Sequence, residues 1–317
     1  MTKRVTSIGG QALLEGIMMV GPKKNTAAFC DEAGNITTED ITAPSLREKY
    51  PILKKPFLRG VFAMIDTMRL GLKALTLSAE KAGLEDEEAE SESKFDRWLS
   101  EKFGDKVMNA VVAIGSVLGV ALAVVLFFFL PTMLFNGLES LLGTWIGGWR
   151  SVFEGLLRIL IFVGYIVLVS RMKEIDRTFR YHGAEHKTIF CYEKGLELTV
   201  ENVRVQPKHH PRCGTSFLFV VIVVSILLSS IVFSFWQFTN PWLRTLVHLA
   251  LLPAVVGLTW EINRYVGGHD SLLCRAIRRP GMAIQRWTTF EPDDSMIEVG
   301  IEALKQVLPE EKGKDQW

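Results

Sequence analysis

The residues best suited to chemistry stand in one short run, His182-Gly183-Ala184-Glu185-His186. On a helix, positions i and i+4 share a face one turn apart, so this spacing brings two imidazoles within reach of a single ion. Glu185 stands beside the second imidazole, a carboxylate placed to polarise a water on that ion and act as general base. A second run, His209-His210-Pro211-Arg212-Cys213, adds an H-x-x-C pair of ligand spacing. A catalytic zinc keeps an open position beside three protein ligands, whereas a fourth ligand closes the set into a structural site. With His182 and His186, either His210 or Cys213 gives the first pattern, and both together give a closed His₃Cys set. Glu193 lies two turns beyond His186 on the same face, about 10 Å along the axis. That is too far to share the ion, so Glu193 is a candidate for outer support. Glu261 and His269 complete the candidates as supporting or alternative ligands, with a pair between Glu261 and Arg264 the plainer use of that carboxylate. The competing reading of the whole set is a structural hydrogen-bonded cluster, or a nucleic-acid or lipid contact, with Cys213 a buried thiol at a helix start.

The order His-x-x-Glu-His is that of the inverted zinc peptidases. Its surroundings, 171–194, have helical spacing and stop at Gly195, which gives the motif the helix it needs. The expected cofactor is zinc or another divalent metal, and the expected activity is a metal-dependent hydrolysis at the cytoplasmic face of a membrane.

The elements that must position these residues are mostly membrane helices. Of 317 residues 48% are hydrophobic and the formal net charge is +1, which fits a chain half apolar and half ordinary, and argues against a sequence-specific nucleic-acid binder. Residues 107–135 and 215–238 carry no charge, and each exceeds the roughly 20 residues that cross a bilayer core. Residues 152–170 carry Glu154 and Arg158 near their start, spaced to pair; 242–260 carry Arg244 at one end and His248 inside, expected to hydrogen-bond to a neighbouring helix. The fold class is therefore mainly α: a polytopic membrane protein with four transmembrane helices in two hairpins. Sixteen Lys/Arg precede the first span, nine lie between 171 and 214 and eight follow from Arg264, while the two short connections hold only Arg150. Positive residues stay inside, so both termini and the central loop are expected in the cytoplasm, and membrane lipids are expected partners. The four cysteines, Cys30, Cys191, Cys213 and Cys274, form no disulfide framework and would there be reduced thiols.

The chain then divides into seven parts. Residues 1–55 read as a small β-containing region with a turn at Ala33-Gly34-Asn35. Residues 56–83 read as an amphipathic helix lying at the membrane interface or against the bundle, with Arg59, Asp66, Arg69 and Lys73 on one arc. Residues 84–106 form an acidic linker. The first hairpin takes 107–170, the loop with the histidines 171–214, the second hairpin 215–262 and the C-terminal region 263–317. No cleavable signal peptide is expected at the start. Gly9-Gly10-Gln11 is no phosphate loop. Gly115-x-x-x-Gly119 permits close helix packing, within the bundle or in a dimer.

Five stretches resemble the bacterial YqhQ-like family: Gly9-GQALLEGIMM-Gly21-Pro22, His182-GAEHKTI, Leu198-TVENV, His210-PRCGTSF and Gln285-RWTTFEPDD. The resemblance implies a membrane protein of roughly 300 residues, a domain of unknown function described as a predicted metal-dependent enzyme. That description follows from the same His/Glu motif. In the family a basic residue follows the paired Met of the first stretch; Val20 stands there in this chain, which weakens an anion-binding role. Family members often neighbour translation genes, which implies an alternative: a non-enzymatic membrane factor associated with ribosomes or the insertion channel.

Overall fold

The computed structural model describes residues 6–31, 33–81, 105–236, 238, 240–311 and 315. Four strands open the chain: β1 (Gly9–Leu13), β2 (Gly16–Val20), β3 (Asn25–Cys30) and β4 (Ile36–Asp40), antiparallel in the order β1-β2-β3-β4. The turns explain the meander. Leu13 pairs Gly16 across a two-residue turn in which Glu15 takes a left-handed φ of 50°. Between β3 and β4, Gly34 adopts φ 83° and the Asp31 carboxylate accepts from the Asn35 N–H at 2.7 Å. This is the turn expected at Ala33-Gly34-Asn35.

Helices follow in chain order: α1 (Leu46–Lys49), α2 (Leu58–Lys81), α3 (Asp105–Val124), a π-helical stretch Val125–Phe129, α4 (Leu130–Leu142), a 3₁₀ turn Thr144–Trp149, α5 (Arg150–Val169), α6 (Lys173–Glu193), α7 (Val200–Arg204), α8 (Gly214–Phe235), α9 (Pro241–Gly268), α10 (Leu272–Ile284) and α11 (Asp294–Val307). Four stretches are long and apolar enough to cross a membrane: Val117–Leu142, Thr144–Val169, Gly214–Phe235 and Pro241–Gly268. They support a membrane location. The first runs past Asn136 to Leu142, because Arg150 turns back to both Asn136 and Glu139 and keeps these polar residues inside the helical end. Nothing lies within 4 Å of where a Cβ would stand on Gly115 or Gly119, so among the described residues they pack against nothing. The acidic linker at 84–106 lies outside the described residues up to position 104.

Two compact units emerge. The first comprises 1–82, 165–221 and 256–317, and the second 83–164 and 222–255. In the first, the sheet is buried on both faces. Ile17, Met19 and Ala28 pack with Tyr181 and Ala184 of α6 and with Met296, Val299, Ala303 and Leu304 of α11. Met18, Ala27 and Phe29 alternate to the other face and pack with Leu70 and Ala74 of α2. Each of the larger aliphatic and Phe side chains among them contributes about 1.5–3 kcal/mol of apolar burial.

Helix α2 has three faces. One carries Leu70 and Ala74 into the sheet. The charged arc expected from sequence holds the preceding segment: Asp66 accepts from Ser45 Oγ, the Leu46 N–H and Arg47 Nε, and Lys73 Nζ donates to Thr42 O at 3.0 Å. The third is a bare apolar stripe, Ile65, Met68, Leu72 and Leu75, exposed by 37, 58, 64 and 39%.

The second unit holds a charged cluster at 0–4% exposure. Glu154 accepts three contacts from Arg244 at 2.9–3.2 Å and lies 3.7 Å from Arg158. Arg158 Nη2 lies 2.9 Å from His248 Nε2, the interhelical hydrogen bond expected of that histidine. The Arg244 guanidinium sits 3.8 Å over the Phe233 ring, which adds a cation–π contact in an apolar setting.

Candidate metal centre

Helix α6 offers its residues in turn to the sheet and to the chain around it. Tyr181 and Ala184 face the sheet core. Gly183 meets the segment before α11 so closely that a Cβ there would lie 2.0 Å from the Phe290 carbonyl oxygen. The same segment grips the helix at several points: Phe290 N–H donates to Phe179 O at 2.9 Å, and Lys187 pairs with Glu291. Asp293 then caps α11 by accepting from the Met296 N–H at 3.0 Å.

The third face carries His182, Glu185 and His186. Their partners fix which nitrogen each imidazole presents. His182 Nδ1 lies 2.7 Å from Thr288 O and His186 Nδ1 lies 2.5 Å from Lys208 O, so each Nδ1–H donates to a backbone carbonyl and each Nε2 keeps its lone pair free. His182 Nε2 stands 3.1 Å from Cys213 Sγ, and the ligand atoms of His182, His186 and Cys213 all lie within 4.8 Å of one another. Burial lowers the His186 pKa, which keeps the ring neutral and able to bind a metal. The three residues together could hold a metal ion: two imidazoles, each oriented by an outer hydrogen bond, and one sulfur.

Glu185 is 5% exposed, with a carboxylate oxygen 3.9 Å from His182 Nε2 and 3.7 Å from His186 Nε2. Gly10 of β1 lies against it, and a Cβ on Gly10 would fall 2.6 Å from Glu185 Cγ. Burial raises the Glu185 pKa, with the charge of His182 and the Gly10 backbone N–H working the other way. A carboxyl raised in this manner is a better base at neutral pH.

The remaining candidates lie elsewhere. His210 stacks beside His186 with ring centroids 5.5 Å apart, but its Nε2 faces Glu193 at 3.7 Å. Gln285 clamps its backbone, accepting from the His210 N–H and donating to the His210 carbonyl, both at 2.8 Å. Glu193 pairs with Arg212 and accepts from the Thr6 N–H at 2.9 Å. Glu261 accepts from Arg59 rather than pairing with Arg264, at 2.7 and 2.5 Å. His269 stacks on Tyr265 at the end of α9.

Sequence reasoning did not reach Gly10, Gln285 or the two backbone carbonyls of Lys208 and Thr288. Three of these positions lie in the quoted stretches, and Lys208 lies just before one of them. Gly10 belongs to the first and Gln285 and Thr288 to the last; Gly10 and Thr288 meet His182–His186, while Gln285 holds His210.

The family model described as "Protein of unknown function (DUF1385)" matches residues 55–310. The uncharacterized protein YqhQ of Bacillus subtilis (strain 168) is 34% identical over 306 residues, covering 95% of this chain and 92% of that protein. No solved structure matches.

Proposed function

This chain belongs to the DUF1385 family, whose description assigns no activity, so the reading must come from the site, and we propose that it is a metal-dependent hydrolase of the membrane. The observation that carries the reading is the convergence of His182, His186 and Cys213, with both imidazoles oriented by backbone carbonyls. His210, turned toward Glu193, stays out of the set, which favours three ligands and an open position over a closed structural site.

In this reading His182 Nε2, His186 Nε2 and Cys213 Sγ hold a divalent ion, zinc by the chemistry of the donors. When bound, the ion supplies Lewis acidity to water and to the bond that is cleaved. Glu185 takes the proton from the attacking water and returns it to the leaving group. Thr288 O and Lys208 O keep the two rings in the tautomer that can bind.

The test is elemental analysis of the purified protein. About one zinc per chain is expected, lost in His186→Ala and retained in Glu185→Gln, because a base is not a ligand. With Co²⁺ in place of zinc, a sulfur-to-metal absorption band should appear and vanish in Cys213→Ser. A metal-free wild-type protein that co-purifies with ribosomes or the insertion channel would favour the non-enzymatic alternative.

A further inference from the structure

One wall of the candidate centre is shared with a large cavity. Cys213 lines a space of about 1050 Å³ formed by α2, by residues 211–217 and by the last turns of α9. That is as large as the largest small-molecule sites, whose range is about 300–1,000 Å³.

Its position and lining say what it would take. Residues 214–217 begin one candidate span and 260–268 end another, so the cavity lies at the ends of two helices apolar enough to cross a membrane. The apolar part of the lining includes Met64, Met68, Phe217 and Trp260. Met68 belongs at once to this lining and to the bare stripe of α2, so an apolar chain lying along that stripe reaches the cavity without crossing water.

The charges are almost balanced, and the remainder is informative. Four arginines and one carboxylate line the space. Arg59 is matched by Glu261, Arg47 by Asp66 and Arg212 by Glu193. Arg264 acts on Glu261 electrostatically but makes no hydrogen bond among the described residues, so one cation in the lining is left over.

We propose that this cavity binds an anionic amphiphile, with its apolar chain over Met64, Met68 and Phe217 and its single anionic head at Arg264. This deepens the hydrolase reading by naming its substrate class. It rests on that reading for the chemistry but not for the binding.

Cys213 reports on both. Metal-free protein in nanodiscs of zwitterionic lipid is treated with a maleimide, and alkylation of Cys213 is followed by peptide mass spectrometry with Cys30 as internal reference. Lysophosphatidate should slow alkylation of Cys213 about tenfold at ten times its dissociation constant and leave Cys30 unchanged. The matching monoacylglycerol and inorganic phosphate should not protect. Met64→Trp with Met68→Trp, which narrows the cavity along the apolar path, should weaken protection by lysophosphatidate while zinc still protects Cys213. Arg264→Gln should remove the preference for the charged amphiphile. Equal protection by monoacylglycerol, protection by phosphate alone, or no protection by lysophosphatidate would each overturn the proposal. Failure of zinc to protect Cys213 would sink the metal reading and leave amphiphile binding standing.

Discussion

Gly183 makes a direct test of how the histidines are held. A side chain there must displace the Phe290 carbonyl, and with it the segment whose Thr288 carbonyl orients His182. Gly183→Ala should cost about 1–3 kcal/mol as an overpacked contact. Loss of the outer hydrogen bond should weaken zinc binding by about 10–100-fold. A variant with unchanged melting temperature and unchanged zinc affinity would show that the contact does not position the site. A second prediction concerns pH. Burial drives the His210 ring down to about 4, with Glu193 opposing and His186 and Arg212 reinforcing the shift, against about 6.5 when unfolded. Between those values the unfolded chain binds the extra proton, so stability falls as pH drops from about 6.5 toward 4. His210→Gln should flatten that acid limb by roughly 2–3 kcal/mol at most, read from melting temperature against pH in detergent. Superimposable limbs would refute it. The paired imidazoles and Cys213 were legible in the sequence because ligand spacing is local. Gly10 and the carbonyls of Lys208 and Thr288 were not, because a backbone group leaves no signature of its own and these arrive from distant segments.

Among the elements, α2 shows how a sequence pattern can be right and incomplete. Its charged arc was legible at 3.6-residue spacing, but spacing alone could not say that the arc would hold residues 42–47 rather than face water. Nor could it divide the apolar residues between a buried face and a bare one. The two faces predict opposite outcomes. Leu70→Ala, at a site 8% exposed against Met18 and Phe29, should cost about 2–4 kcal/mol. Leu72→Ala, at a site 64% exposed, should change stability in detergent by less than about 0.5 kcal/mol. If both variants melt alike, the division of the helix into a buried face and a bare one is wrong. The four helices long and apolar enough to cross a membrane were legible because length and apolarity suffice to mark them. The end of the first was not, because the contact of Arg150 with Asn136 and Glu139 lies in the tertiary structure.

For the whole molecule, the count of basic residues predicts both termini and the 171–214 segment on the cytoplasmic side. A cysteine introduced at position 195 should resist an impermeant thiol reagent in intact cells, while one at position 145 should react. Labelling at 195 from outside would reverse the topology and put the candidate centre on the opposite face. The order of synthesis adds a consequence. The sheet is made first, yet the face bearing Ile17, Met19 and Ala28 is covered by α6 and, at the far end of the chain, by α11. A ribosome must therefore deliver all four candidate spans before that face can close. Any chain that stops short of residue 294 leaves its oldest segment bare and sticky, an obvious target for chaperones and proteases. Helix α11 is thus the late-made lid of an early-made sheet: only a chain translated through Val307 can cover that face.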